Sequence, residues 1–136
     1  LEFVDTNVLV YAYDTTAGSK HDKARDLLSR LWTSRSGSLS VQVLQEFFVT
    51  ATRKIPSPLV LADARSVIAK LALWQIHAPG PSDVLQAIDI QAAHQLSFWD
   101  AMIVHSAATL NCSRVWSEDM KHGGVYRGVS VVNPFQ

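Results

Sequence analysis

The sequence has little of what marks secreted or membrane-bound proteins. Its 136 residues include one cysteine, Cys112, which excludes a disulfide framework or a cysteine-rich zinc site and favours a reducing compartment. No apolar run approaches the ~20 residues that a membrane-spanning helix needs. No basic segment followed by an apolar run predicts a signal peptide. We therefore expect a cytoplasmic protein that does not contact a membrane.

An excess of charge of either sign is also missing. The chain has 12 basic and 12 acidic residues, so its formal net charge is zero, which at first sight argues against a nucleic-acid partner. If cations neutralise the four carboxylates described below, 12 basic and 8 acidic residues remain, a balance of +4. This balance permits a nucleic-acid partner.

The short motifs of several enzyme classes are absent. The five histidines form no HExxH pair, which argues against a zinc hydrolase, and there is no GxSxG, Walker or GxGxxG motif. A phosphoacceptor role for Asp5 would call for a second acid at position 7, where the chain has Asn7. Cys112 has no suggestive neighbour and is expected to be a small core residue.

The pattern of apolar residues predicts an α/β fold. Hydrophobic residues make up 48% and charged residues 18% of the chain, as in globular proteins, and no repeat or linker divides residues 1–136, so we expect a single domain. Short apolar strands alternate with helices, which predicts a parallel sheet covered on both faces. The predicted strands lie at 2–4, 38–40, 76–77, 114–116 and 129–132, with a loop at 121–127.

Several serines predict where helices begin, because serine side chains cap free main-chain N–H groups. One helix runs from Gly18-Ser19 to about Trp32, and another from Pro58 to about Trp74 with proline at its first position. The predicted caps are Ser40, Ser57, Ser82 and Ser97.

Four carboxylates at the edges of apolar segments are the main functional candidates: Asp5, Glu46, Asp100 and Asp119. Asp5 directly follows the first strand, and Asp119 comes shortly after the strand at 114–116. Since ligands bind at the carboxyl ends of strands in parallel α/β sheets, both are expected at one edge. Glu46, in mid-helix, and Asp100, in the first turn of its helix, can reach that edge. Four oxygen donors suit Mg²⁺ or Mn²⁺.

Each acid also has an ordinary structural interpretation. Asp5 could cap the helix that starts near Asn7, and Ser97-x-x-Asp100 resembles a capping box. Glu46 and Asp119 could be solvated charges. Asp100, however, lies in a helix that is apolar on all sides. Burying an ion there costs several kcal/mol, whereas the helix N-terminus stabilises a negative charge by only ~0.3–1 kcal/mol. The joint placement of the acids favours a metal site.

Four segments that contain these acids resemble the PIN-domain ribonucleases, in particular the VapC-type toxins of prokaryotic toxin–antitoxin pairs. Together they run from the first residues to near the end of the chain, and the first and third are the most specific. The segments are Phe3-Val4-Asp5-Thr6-Asn7-Val8-Leu9-Val10-Tyr11, Gln45-Glu46-Phe47, Ser97-Phe98-Trp99-Asp100-Ala101-Met102-Ile103 and Trp116-Ser117-Glu118-Asp119-Met120.

The resemblance implies a three-layer α/β/α fold with a short, mainly parallel central sheet. It also implies one or two Mg²⁺ or Mn²⁺ ions at a site whose ligands and catalytic groups are Asp5, Glu46, Asp100 and Asp119. Asn7 and Ser117 match small polar positions beside that site. His105 departs from the family, which more often has a small residue there, and we expect it to be a packed histidine.

The implied activity is that of a metal-dependent endoribonuclease that leaves 5′-phosphate and 3′-hydroxyl ends. The alternative is a catalytically inactive PIN-like module that binds RNA or serves as a scaffold. The resemblance also implies a homodimer and a cognate antitoxin whose C-terminal segment covers the acidic groove. The apolar face of Leu59–Leu71 could form the dimer contact or pack in the core. Phosphate-binding candidates, which could equally be solvated charges, are Arg53, Lys54, Lys121 and Arg127.

Overall fold

A six-stranded sheet in the order β3-β2-β1-β4-β6-β5 forms the centre of the fold. The structure is a computed structural model that describes residues 1–136. The strands are β1 (Glu2–Val4), β2 (Gly37–Ser40), β3 (Gln75–His77), β4 (Arg114–Trp116), β5 (Val125–Tyr126) and β6 (Val129–Val132). All neighbouring strands are parallel except β5, which pairs antiparallel with β6.

Six helices flank this sheet, so the predicted three-layer α/β/α fold with a mainly parallel sheet is confirmed. None of the helices is long and apolar enough to cross a membrane. The helices are α1 (Thr6–Tyr11), α2 (Ser19–Ser34), α3 (Val41–Arg53), α4 (Leu61–Leu71), α5 (Pro81–His94) and α6 (Phe98–Thr109).

Helix α6 is the most buried helix of the molecule. Every residue from 101 to 107 is buried, and the helix packs against β2, β4 and β6. A helix that is apolar on all sides has no polar face to expose to solvent, which is why it lies in the core. The first turn of α6, which carries Asp100, is therefore anchored to the most rigid part of the fold.

Two predicted helix starts were wrong, and the structure shows the reason for each. Helix α4 begins at Leu61 with Val60 as its N-cap, rather than at Pro58, because the Leu59 N–H donates to the Ala51 carbonyl and keeps that segment extended beside α3. The same helix ends at Leu71, before Trp74. Helix α5 is capped at Gly80, not at Ser82, because Pro81 takes the first helical position and the Asp83 carboxylate accepts from the Gly80 N–H at 2.7 Å.

The predicted loop at 121–127 was also wrong in part, because it contains β5. Val125 pairs with Ser130 and Tyr126 with Val129 across a two-residue turn. The turn residues Arg127 and Gly128 have φ values of 52° and 80°, the left-handed backbone that tight hairpins use. An arginine at a position that favours asparagine or glycine concealed this hairpin.

The apolar face around α4 packs mostly in the core. Ala64 and Leu71 are fully buried, whereas Val60 and Leu61 are 63% and 66% exposed. Three more members of the face are half-buried against the core: Leu59, Val67 and Ile68. Most of this face is therefore occupied within the chain, and only its N-terminal end is free for a partner.

Ser40 and Ser82 give a matched test of the helix caps. The Ser40 hydroxyl accepts from the Val43 N–H at 3.3 Å, whereas Ser82 is exposed. We expect Ser40→Ala to lower the free energy of unfolding by about 0.5–2 kcal/mol and Ser82→Ala to change it by less than about 0.5 kcal/mol. Urea denaturation measures both. Equal effects of the two substitutions would contradict the assignment.

Candidate functional site

One cleft collects all four acidic residues. Asp5, Glu46, Asp100 and Asp119 line an opening of about 700 Å³. Asp5 is buried and only 5% exposed, Glu46 and Asp100 are half-buried, and Asp119 is exposed. The side chains that the sequence placed at one edge of the sheet are therefore brought together, although they come from four separate segments.

The register of the sheet explains why Asp5 and Asp119 meet. Strands β1 and β4 are parallel neighbours in which Val4 pairs with Trp116, so both strands end at the same level. The Asp5 N–H donates to the Trp116 carbonyl at 2.9 Å. Glu46 reaches the same edge because α3 follows directly from β2, the neighbour of β1 on its other side.

Asp5 is held by three donors. Its Oδ1 accepts from the Thr6 N–H at 2.7 Å. Its Oδ2 accepts from the Ser117 hydroxyl at 2.7 Å and from the Asn7 amide at 3.5 Å. Ser117 Oγ in turn accepts from the Asp119 N–H at 3.1 Å, so one buried hydroxyl connects two of the acids. The predicted positions of Asn7 and Ser117 beside the acidic residues agree with these contacts.

Glu46 is oriented by neighbours that sequence reasoning did not identify. Its Oε1 accepts from the Thr6 hydroxyl at 2.8 Å and from the Gln42 amide at 3.4 Å. Gln42 Nε2 also lies 3.4 Å from the Trp99 carbonyl, while its buried Oε1 has no hydrogen-bond partner. Gln42 is four residues before Glu46 on α3, so helical spacing was the available indication for it. Thr6 reaches Glu46 only through the packing of α1 against α3.

The structural interpretation holds for Asp5 and in half for Asp100, where the serine cap of the predicted capping box is present. Asp5 is the N-cap of α1, and the Ser97 hydroxyl caps α6 by accepting from the Asp100 N–H at 3.1 Å. Both caps fix the acids at helix starts while leaving carboxylate oxygens in the cleft. Capping and ligand binding are thus compatible at these positions.

Burial and mutual repulsion disfavour the negative charges of the acids in the cleft. Burial raises the pKa of Asp5 to about 7, against the lowering effect of Ser117 and Thr6, and repulsion from Asp100 and Asp119 adds to the rise. Burial also raises the pKa of Asp100, with a further contribution from Asp119. A bound cation would remove both penalties. The donor set, carboxylates that line an open cleft, fits a hard divalent ion such as Mg²⁺.

Other charged and polar groups surround the acids. Of the four basic candidates, Lys54 lines the cleft and the other three do not. Glu118, next to Asp119, does not join the acids. It accepts from the Tyr11 hydroxyl at 2.9 Å and forms an ion pair with Lys20. Asp14 is buried at the cleft wall, where it accepts from Thr16.

The sequence from residue 3 to residue 127 matches the PIN domain family. The chain belongs to this family. The resemblance seen in the four acidic segments is therefore confirmed, and the cleft lies at the carboxyl edge of a PIN-domain sheet. No curated protein matches the chain significantly.

Solved structures of bacterial proteins share this PIN fold. A toxin–antitoxin complex from Klebsiella pneumoniae is 16% identical with a TM-score of 0.73, and the match covers 98% of each chain. The sarcin–ricin loop cleaving toxin VapC20 of Mycobacterium tuberculosis is 20% identical with a TM-score of 0.65, over 88% of this chain and 90% of that one. VapBC2 of Rickettsia felis, bound to a promoter DNA fragment, is 15% identical with a TM-score of 0.65, over 96% of each.

The raised pKa of Asp5 predicts how the metal-free protein responds to pH. Because the folded-state pKa is about 7 and the ordinary value is 3.8, the folded protein binds a proton that the unfolded chain releases between these values. The free energy of unfolding is therefore expected to fall as pH rises from about 4 to about 7. Above this range Asp5 is charged in both states, and the destabilisation by its buried charge has reached its full value. Asp5→Asn cannot ionise and should lose this pH dependence.

We expect Asp5→Asn to be more stable than the wild type at pH 8 in chelator, by the order of 2 kcal/mol. Chemical denaturation at pH 5 and pH 8 measures the difference. Asp89→Asn, an exposed acid on α5, is the matched control and should behave like the wild type. If Asp5→Asn were less stable than the wild type at pH 8, this would contradict the claim that the buried charge of Asp5 destabilises the metal-free protein.

Proposed function

We propose that this PIN domain is a Mg²⁺- or Mn²⁺-dependent endoribonuclease and the toxin of a toxin–antitoxin pair. The observation that carries the proposal is the buried Asp5 carboxylate, which shares one cleft with Asp100, Asp119 and Glu46. A bound cation would stabilise the charged form of such a group, and the cleft is open enough to admit a substrate.

Asp5 and Asp100 are the proposed principal ligands. A divalent ion held between them would lower the pKa of a bound water and neutralise charge on a phosphodiester. Thr6 and Ser117 fix the Asp5 oxygens, and Ser97 anchors the start of the helix that carries Asp100.

Glu46 and Asp119 complete the acidic set or orient the attacking water. Thr6 and Gln42 hold the Glu46 side chain, and the Ser117 hydroxyl holds the Asp119 main chain. Neutral groups, rather than a lysine or arginine, thus position each acid. This leaves their negative charge to be neutralised by metal ions rather than by the protein.

Two further cleft residues support a nucleic-acid substrate. Trp99 is 61% exposed at the cleft wall, and Lys54 lies at its rim. An exposed aromatic ring can stack on an unpaired base, and an ammonium group can hold a phosphate, a combination typical of single-stranded segments. The similarity to a toxin that cleaves the sarcin–ricin loop supports RNA as the substrate.

The proposed partner is an antitoxin whose C-terminal segment covers the acidic groove. Similarity to a toxin–antitoxin complex and to VapBC2 supports this partner. We further propose that residues 1–136 act as a single domain and that the toxin forms a homodimer. Val60 and Leu61, exposed at the start of α4, are available for such a contact.

A catalytically inactive RNA-binding or scaffold module is the second candidate. The complete acidic set favours the enzyme over this candidate, because the capping of α1 by Asp5 does not require Glu46, Asp100 and Asp119 in the same cleft. The two candidates differ in one measurable property, which is cleavage that requires a divalent ion.

We expect Asp5→Asn and Asp100→Asn each to lower the rate of RNA cleavage at least ~100-fold with the fold intact, because each removes a charged ligand. The assay is cleavage of a set of structured RNAs in Mg²⁺, with chelator as a blank and circular dichroism as the check on folding. Asp89→Asn should cleave at the wild-type rate.

Wild-type RNA binding without Mg²⁺-dependent cleavage would favour the scaffold. Mg²⁺-dependent cleavage that is unchanged in both cleft variants would show that these acids are not the site.

A further inference from the structure

A second cluster of metal-binding side chains lies outside the acidic cleft. It consists of His77 at the end of β3, Asp83 in the first turn of α5 and His105 in the middle of α6. One ligand atom of each residue lies within 4.8 Å of the other two. The side chains are 10%, 19% and 8% exposed, so the cluster is nearly closed to solvent.

The two distances from Asp83 to the histidines lie within ~0.6 Å of those in a tetrahedral zinc site. Asp83 Oδ1 lies 3.5 Å from His77 Nε2 and 2.7 Å from His105 Nε2. Zinc bonds of ~2.0–2.1 Å place neighbouring ligand atoms ~3.3–3.4 Å apart in a tetrahedron. The His77–Asp83 spacing already matches, and the His105–Asp83 pair would have to open by ~0.6 Å.

A hydrogen-bonded network without metal accounts for only half of the cluster. The 2.7 Å contact between His105 and Asp83 is a good hydrogen bond, whereas His77 Nε2 lies 3.5 Å from the same oxygen, at the upper limit for one. His77 Nε2 therefore makes only a long contact with this carboxylate oxygen. An ion between the two would use both atoms.

The outer contacts of His77 and Asp83 are those that orient metal ligands. His77 Nδ1 lies 2.8 Å from the Ser106 hydroxyl, which leaves Nε2 to face the cluster. Asp83 Oδ2 accepts from the Gly80 N–H at 2.7 Å, so Oδ1 is turned inward. Ligating histidines and carboxylates in metalloproteins are held by such partners on their far side.

We propose that His77, Asp83 and His105 form a zinc-binding site, separate from the acidic cleft, with a water molecule as the fourth ligand. Two imidazoles and one carboxylate favour Zn²⁺, whereas the all-oxygen set of the cleft favours Mg²⁺ or Mn²⁺. The site joins edge strand β3 to α5 and α6. Its role is structural, because it fixes the helix that also carries Asp100. It does not depend on the proposed nuclease activity.

The test is a titration of the chelator-treated full chain with Zn²⁺ and with Co²⁺, whose visible absorption reports four-coordinate binding. We expect one tight zinc equivalent and a rise in Tm of roughly 10 °C at a hundredfold excess over Kd. His77→Gln and His105→Gln should each weaken zinc binding at least ~100-fold, since loss of a direct ligand exceeds loss of an outer contact. His94→Gln, an exposed histidine on α5, is the matched control.

The wild type provides a second readout that needs no variant to fold. Zinc should shift the ring ¹⁵N signals of His77 and His105 and leave those of His94 and His122 in place. Asp5→Asn should bind zinc as tightly as the wild type. The proposal is overturned if the wild type binds no zinc at micromolar concentration or if zinc shifts the ring signals of other histidines instead. It is also overturned if zinc binding is lost in Asp5→Asn rather than in the histidine variants.

Discussion

The buried carboxylate of Asp5 is the constraint on which the rest of the site depends. It lies at the end of β1 with three neutral donors and no cationic side chain among its hydrogen-bond partners. Burial and the charges of Asp100 and Asp119 raise its pKa to about 7. Its role as the N-cap of α1 does not account for the three other acids in the same cleft. The protein keeps an acid that is unfavourable in the absence of a cation.

The fold makes this arrangement possible by supplying rigid attachment points. Asp5 and the segment that carries Asp119 leave the sheet from adjacent strands in register, and Asp100 is on the most buried helix of the core. Ser40 and Ser97 fix the starts of the two helices that carry Glu46 and Asp100. The acids cannot easily move apart, so their repulsion is relieved by binding rather than by rearrangement. Stability is thereby exchanged for a prearranged site.

The positions of five of the six strands and the acidic residues were predictable from sequence because each depends on local pattern. The apolar pairs Phe3-Val4 and Val115-Trp116 and the serine caps at Ser40 and Ser97 were sufficient for that. The start of α4 was not predictable, since a long-range bond from Leu59 to Ala51 overrides the local preference for Ser57-Pro58. The cluster of His77, Asp83 and His105 was also hidden, because its members are brought together only by the packing of α5 against α6 and the edge strand.

Anomalous scattering from crystals soaked in Mn²⁺ tests the central claim most directly, because it locates the ion without relying on activity. The account predicts an anomalous peak between the carboxylates of Asp5 and Asp100, and loss of that peak in Asp5→Asn crystals. An empty cleft at millimolar Mn²⁺, or a peak that persists in Asp5→Asn, would contradict the claim that these acids converge to hold a divalent cation.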